Sequence, residues 1–377
     1  MVNITPDGMR INLVRTVDDS YDLVIGSRLF PRIAAEMKNM NLGVKHAILT
    51  DSNVASMYAG TLEKAFENEG LACQTFVSPA GEEYKNLDEC KRLYHELAEA
   101  KFGRDSVIYA LGGGVVGDRA GFISATFLRG VPAVQIPTTT ISQADSSVGG
   151  KTGVDIPAGK NLVGAFYQPK RVYIDVDTLK TLKADHYVSG LAESIKHGNI
   201  EDVEYLLWLS DHASLILAGD TDCLMHMAKT NCRIKGEVVE QDPDEKGLRS
   251  ILNYGHTLGH ALEKLSGYKM MHGDGVSIGM SAAVRIASAL SVFSGEIHAQ
   301  DEILRKFGLQ TKIPDEILSR FSLDDIINAT LTDKKAAGGK VRYALPKRYG
   351  AMNEFDGKYK IPVDYATVRA ALIAISN

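Results

Sequence analysis

Apolar positions in the first half of the chain fall into short β-branched runs separated by helical spacings. MRINLVRT (9–16) and YDLVIG (21–26) read as early strands, and as a hairpin if they pair. HAILTD (46–51) is an apolar run ending in Asp51, followed by helical spacing to about Gly70. ACQTFVSP (72–79) reads as a strand and NLDECKRLYHELAEAK (86–101) as a helix, and VIYALGGG, AVQIPTT and VYIDVD complete the series. Strands alternating with helices predict an α/β region with a parallel sheet covered on both faces. After about Asp177 strand-like runs nearly vanish. Helical patterns take over near 186–217, 221–240, 253–265, 273–295 and 299–308, and only VRYALP (341–346) looks like a strand. The change predicts an α/β domain over 1–180 and a helical domain over 181–377. No linker rich in Pro, Gly or Ser separates them, so the halves are expected to pack tightly.

Composition excludes more than it selects. The 377 residues are 45% hydrophobic and carry a net charge of −5, so no basic balance points to nucleic acid. The N-terminus lacks a basic region followed by an apolar core. The apolar stretch 276–293 contains Arg285 and several serines, which makes it a buried helix rather than a membrane span. Cys73, Cys90, Cys223 and Cys232 form no CxxC pair and are expected to be reduced thiols in a cytoplasmic protein.

Three stretches carry candidate chemistry. Gly112-Gly113-Gly114-Val115-Val116-Gly117 matches GxGxxG after a strand and before a helix, a turn that lets backbone approach a pyrophosphate. A tight structural turn is the competing reading. The best ribose partner, Asp51, ends an earlier strand instead of following the glycines, so any dinucleotide sits on a variant sheet. Asp118 either caps the next helix or touches the second ribose. Residues 129–168 are dense in Gly, Ser, Thr and Lys, with Asp145, Lys151, Lys160 and Asn161 among them. So long a loop without secondary structure is uncommon unless functional, and lysines on glycine turns suit a phosphate or carboxylate. Finally, His256, His260 and His272 fall within 17 positions, among glycines. His256 and His260 share a helix face. Thr257 stands where a metalloprotease would place its glutamate. The residues alone leave open which two histidines bind metal and which acid joins them.

These stretches, with PAGEEYKNL (79–87), SGLAESIKHG (189–198), CRIKGEVVEQDPDEKGLRSILNYGHTLGHALE (232–263), HGDGVSIGM (272–280) and DKKAAGGKVRYAL (333–345), make the chain resemble the 3-dehydroquinate synthase family, within the sugar-phosphate cyclases. The resemblance implies a Rossmann-like N-terminal domain, a helical C-terminal domain, an active site in the cleft between them and a homodimer. It implies Glu193, His256 and His272 as ligands of zinc, with cobalt an alternative metal, and places His260 in the hydrogen-bonding shell. It implies NAD against Asp51, Glu82, Lys85, Gly113, Gly114, Asp118, Thr138 and Thr139, with Thr178, Thr181 and Leu182 near the nicotinamide and Lys160 by the nucleotide or phosphate. Substrate carboxylate, phosphate and hydroxyls would meet Arg129, Asp145, Lys151, Asn161, Lys196, Lys235, Arg249, Asn253 and Lys334 or Lys335, with Lys335 preferred.

The implied substrate is 3-deoxy-D-arabino-heptulosonate 7-phosphate. The implied reaction is redox-neutral: oxidation at C5, β-elimination of phosphate, re-reduction, ring opening and an intramolecular aldol closure. His260, and Asp145 through water, are the candidates for moving protons. Lys183, Thr140 to Ser142, Tyr254 and Asp274-Gly275 depart from the commonest family form without removing a proposed site residue. A cyclase acting on sedoheptulose 7-phosphate and an NAD- and metal-dependent polyol dehydrogenase remain open alternatives.

Overall fold

The computed structural model describes residues 3–5, 8–10, 16–331 and 341–376. Lys334 and Lys335 lie outside the described residues. Six parallel strands form one sheet in the spatial order Asp22–Gly26, Arg171–Asp175, Ala133–Pro137, Ser106–Gly112, Lys45–Asp51, Ala72–Ser78. The Ser106–Gly112 strand is buried at every position, as expected of a central parallel strand covered on both faces. One face packs Ile33, Phe66, Tyr109 and Tyr173 under helices Phe30–Met40 and Gly60–Asn68. The other packs Leu93, Leu97, Ile108 and Ile123 under helices Leu87–Glu99 and Gly114–Thr126. Each such side chain contributes about 1.5–3 kcal/mol of burial.

Asp22–Gly26 pairs in parallel with Arg171–Asp175, because its apolar side chains complete an edge of the sheet. Most of the run 9–16 expected to pair with it lies outside the described residues. One expectation needs correction: residues 129–168 are not a loop without structure. They contain a sheet strand, a π turn at Ser142–Ser146 and an antiparallel hairpin of Lys151–Ile156 with Gly159–Phe166, and they follow a 3₁₀ turn at Phe127–Arg129. Its glycines and lysines mask the alternation of a half-buried ribbon.

Beyond Asp175 the chain is mostly helical. The helical stretch expected over 186–217 breaks into Ala184–Glu201, Val203–Asp211 and Ala213–Leu217. Asp202 causes the first break by capping the amide of Tyr205. Thr221–Gln241, His256–Leu265, His272–Ala289 and Ala299–Lys306 follow, then Leu323–Leu331 and Tyr365–Ala374. VRYALP yields only the two-residue strand Arg342–Tyr343 and the start of Pro346–Arg348. One apolar cluster runs from Val172 and Ile174 of the sheet through Ile195, Ile234, Leu258 and Val276 of the helices, so the two halves share a core. Among the described residues no helix is long and apolar enough to cross a membrane. The four cysteines form no disulfide.

Candidate active site

Strand order makes the nucleotide side of the site. From Lys45–Asp51 the chain winds outward to the edge strand Ala72–Ser78, and from Ser106–Gly112 it winds the opposite way to Arg171–Asp175, beside the other edge. These two strands are neighbours in parallel register, Leu49 opposite Ala110. Asp51 and Gly112 therefore end side by side at the point where the winding reverses, which is where open α/β sheets leave a crevice. This explains how an acid that precedes the glycines in sequence faces them in space. Gly113 caps the helix Gly114–Thr126, whose first amides open onto the crevice. A Cβ on Gly113 would stand 3.0 Å from Thr139 Cγ2, so the turn sits close against the Thr138-Thr139 segment. Thr138 and Thr178 are buried, and Gln143 donates to Thr178 Oγ1 at 3.0 Å. Thr181 pairs its hydroxyl with that of Tyr58, and the amide of Leu182 donates to Leu179 at 3.2 Å.

Asp118 is not a helix cap. The helix begins at Gly114, so Asp118 lies in its second turn and pairs with buried Lys85 at 2.6 Å. Burial opposes charge on Lys85, but Asp118 outweighs it and holds the ammonium protonated. Asp51 does cap, accepting from the amides of Asn53 and Val54 at 2.9 and 3.0 Å.

Close backbone approach makes the metal side. Glu193 lies on Ala184–Glu201, and His256 and His272 each open a helix. A Cβ on Gly279 would stand 1.8 Å from the Gly255 carbonyl oxygen, and one on Gly273 would stand 1.9 Å from that of Ser189. Only glycine allows the three helices to meet at these points. As a result His256 Nε2 and His272 Nε2 lie 3.4 and 3.2 Å from the same Glu193 oxygen. The opposite ring nitrogens are already held: His256 Nδ1 lies 3.1 Å from the Tyr254 carbonyl and His272 Nδ1 lies 2.9 Å from Glu263. These outer contacts direct both Nε2 atoms inward, the usual arrangement around a bound metal. One ligand atom from each of Glu193, His256 and His272 falls within 4.8 Å of the others. Two imidazoles and one carboxylate fit a catalytic divalent cation with an open position.

Charge in this pocket is set by burial and pairing. Burial disfavours the Glu193 carboxylate, but Lys196, His256 and His272 hold its pKa well below the usual range. Burial drives His256 well below its ordinary value and so keeps it neutral. Burial also opposes charge on His272, yet hydrogen bonds to Glu193 and Glu263 push it up to about 10. A metal at that nitrogen therefore displaces a proton. His260 is exposed, with its ring 5.3 Å from that of His256 and 6.1 Å from that of His272. With Glu263 and His272 it forms a second group of metal-type donors beside the first.

A cluster of charged groups adjoins the trio through Lys196, and further cations lie on neighbouring segments. Lys196 is buried and pairs with Glu193, and Asp145 bridges Lys235 at 2.9 Å and Lys196 at 3.9 Å. Burial opposes Asp145 as an anion, but Lys235 and Lys196 outweigh it and hold its pKa far below normal. Arg249 is buried and donates to the carbonyls of Pro243 and Gly149 at 2.7 and 2.9 Å. Lys151 pairs with Glu245, which also accepts from Asn253 at 3.1 Å. Lys160 pairs with Glu82 at 3.0 Å and lies 4.1 Å over the Tyr268 ring. Asn161 donates its amide to Asp155 at 2.7 Å from left-handed backbone. Arg129 is exposed, with a φ of 71°, and makes no hydrogen bond or ion pair to described residues.

Sequence reasoning missed Glu263 and Glu245. Glu263 stands seven residues after His256, two turns along the same helix face, a spacing that could have revealed it. Glu245 sits in the irregular DPDEKG segment, where no periodicity points to its partners.

Comparison with known proteins agrees with this geometry. Residues 75–189 match the family model described as 3-dehydroquinate synthase N-terminal, and 190–336 match 3-dehydroquinate synthase C-terminal. A 3-dehydroquinate synthase from Ruminiclostridium cellulolyticum is 41% identical over 95% of this chain and 97% of its own length. Among solved structures, 2-epi-5-epi-valiolone synthase from Streptomyces hygroscopicus subsp. jinggangensis, with NAD+ and Zn2+ bound, aligns with a TM-score of 0.86 at 24% identity, covering 97% of this chain and 99% of that one. 2-Deoxy-scyllo-inosose synthase, complexed with carbaglucose-6-phosphate, NAD+ and Co2+, aligns at 0.83 and 23% identity, covering 93% and 96%. At these identities the two structures establish the fold alone.

Proposed function

The chain belongs to the 3-dehydroquinate synthase family, and from that premise we propose that it converts 3-deoxy-D-arabino-heptulosonate 7-phosphate to 3-dehydroquinate and phosphate, with NAD and a divalent metal, zinc or cobalt, as cofactors. The observation that carries this reading is the convergence of His256 and His272 on buried Glu193 beside the Lys196–Asp145–Lys235 cluster. Asp51, Glu82, Lys85, Gly113, Gly114, Asp118, Thr138, Thr139, Lys160, Thr178, Thr181 and Leu182 would hold NAD, which would supply reversible hydride chemistry. The metal, held by Glu193, His256 and His272, supplies Lewis acidity toward a substrate hydroxyl.

The chain's own groups do the rest. Lys196 keeps Glu193 ionised in a buried setting. Lys151, Asn161 and Arg249 neutralise the leaving phosphate, and Arg129, Lys235, Asn253 and Lys335 complete the grip on carboxylate and hydroxyls. Lys151 and Asn253 share Glu245 as an internal anion, which a substrate anion would replace. His260, exposed at the rim of the trio, exchanges protons with solvent, and Asp145 orients a hydroxyl. The domains 1–180 and 181–377 meet at this site, and the protein acts as a cytoplasmic homodimer on a small sugar-acid phosphate.

The deciding experiment follows phosphate release from the heptulosonate phosphate while recording absorbance of NADH. Release without net NADH supports the reading. Accumulation of NADH with a polyol, or release only from sedoheptulose 7-phosphate, would replace it. Sedimentation at twice the chain mass tests the dimer.

A further inference from the structure

Beside the lysines of the site lies a buried titratable group with no part in the reaction as described. His197 is fully buried on the Glu193 helix, next to Lys196. Its Nδ1 lies 3.1 Å from Asn231 Oδ1. The Asn231 amide nitrogen donates to Ser194 Oγ at 2.9 Å, and the Tyr205 hydroxyl donates to Asn231 Oδ1 at 3.1 Å. Asn231 thus turns its oxygen toward the imidazole, and His197 must carry its proton on Nδ1. Burial, reinforced by the charge of Lys196, pushes the ring's pKa down to about 4, so it is neutral.

The other nitrogen, Nε2, is then a bare lone pair, 3.9 Å from Asp145 Oδ1. Two acceptors at that separation cannot bond each other, yet both can accept from one small donor between them. Lys196 Nζ also lies 3.9 Å from the same carboxylate oxygen, too far for a direct bond. A water there would accept from Lys196 and donate to His197 Nε2 and Asp145 Oδ1, the three partners usual for a buried water.

We propose that His197 is a positioning residue for Asp145, acting through one internal water held by His197 Nε2, Asp145 Oδ1 and Lys196 Nζ. Lys235 fixes the carboxylate from one side, and the water fixes it from the other. The inference rests on the reading that Asp145 meets the substrate.

Three measurements on the full-length protein test it. Nitrogen-15 spectra of histidine-labelled enzyme should show His197 protonated at Nδ1 and bare at Nε2 at neutral pH; a proton on Nε2 would overturn the proposal, because that tautomer donates directly toward Asp145. A high-resolution crystal structure should show the water, and its absence with Asp145 unmoved would also overturn it. His197→Phe should lower kcat/KM by roughly ten- to a hundredfold, the scale of a misplaced catalytic contact. Bound-metal stoichiometry and melting temperature should stay near wild type, and His197→Gln should restore most of the loss by offering an acceptor again. Wild-type kcat/KM in folded His197→Phe would sink the idea. Absence of phosphate release from the wild-type enzyme would instead remove the reading beneath it.

Discussion

The two sides of the cleft hold their charged groups by opposite means. On the helical side Lys196 and Glu193 are each 1% exposed and sit on one helix, whose Ser189 carbonyl meets the neighbouring helix at Gly273. On the rim facing it Lys151 is 49% exposed and Lys160 is 32% exposed, and each rests on a carboxylate it can leave. Buried, interlocked groups hold a fixed geometry, because releasing either partner strands a charge in a dry pocket. Exposed pairs bind weakly and exchange partners readily. A metal needs the first kind of support, and a phosphate that arrives and departs needs the second.

The largest expected effect breaks the fixed side outright. Glu193→Gln should abolish tight metal binding and cut phosphate release roughly a thousandfold, the rate equivalent of several kcal/mol of Lewis-acid stabilisation. Metal content after dialysis and the release assay check it; retained metal would mean the trio is not the site. Gly279→Ala should destabilise by about 1–3 kcal/mol, since its methyl meets the Gly255 carbonyl. Gly60→Ala on the sheet side, with nothing within 4 Å of its Cβ, should instead stabilise by about 0.5–1 kcal/mol. Denaturant midpoints separate the two.

Glu263→Gln tests the outer support and should weaken metal affinity by roughly 10–100-fold in chelator competition, leaving the fold intact. The sheet core offers a pH test. Burial lowers His46 to about 4, while its unfolded value is about 6.5. A depressed folded pKa means stability is fully present above about 6.5 and is lost as pH falls toward 4. His46→Gln should remove about 1–2 kcal/mol of that acid loss, read as a smaller drop in midpoint between neutral and acidic buffer. The smallest effect belongs to the rim: Glu82→Gln should change stability by less than about 1 kcal/mol, since its partner Lys160 is half-exposed. A larger loss would mean that the rim pair is structural.

The same contrast marks what the sequence could disclose. Strands such as HAILTD and VIYAL were legible because a central parallel strand must be apolar throughout. The glycine turn at 112–114 reads as a nucleotide signal, but its place beside Asp51 required the strand order, which no local pattern encodes. Three clustered histidines suggested a metal. Choosing His256 and His272 over His260 came from the family resemblance, since the choice depends on helix crossings set by Gly255, Gly273 and Gly279. The hairpin over 151–166 escaped because its glycines and lysines hide a two-residue period.

The edge strand Asp22–Gly26 has a consequence for how the chain is made. Its partner strand arrives late: Asp22 and Arg171, which pair by backbone and by charge, lie 149 residues apart. At about 5–20 residues per second of synthesis, that strand waits roughly 7–30 s for its neighbour. The crevice strands 45–51 and 106–112 emerge well before then. The ribosome therefore releases the inner strands first, and the earliest strand of this six-stranded sheet to be synthesised is among the last to dock.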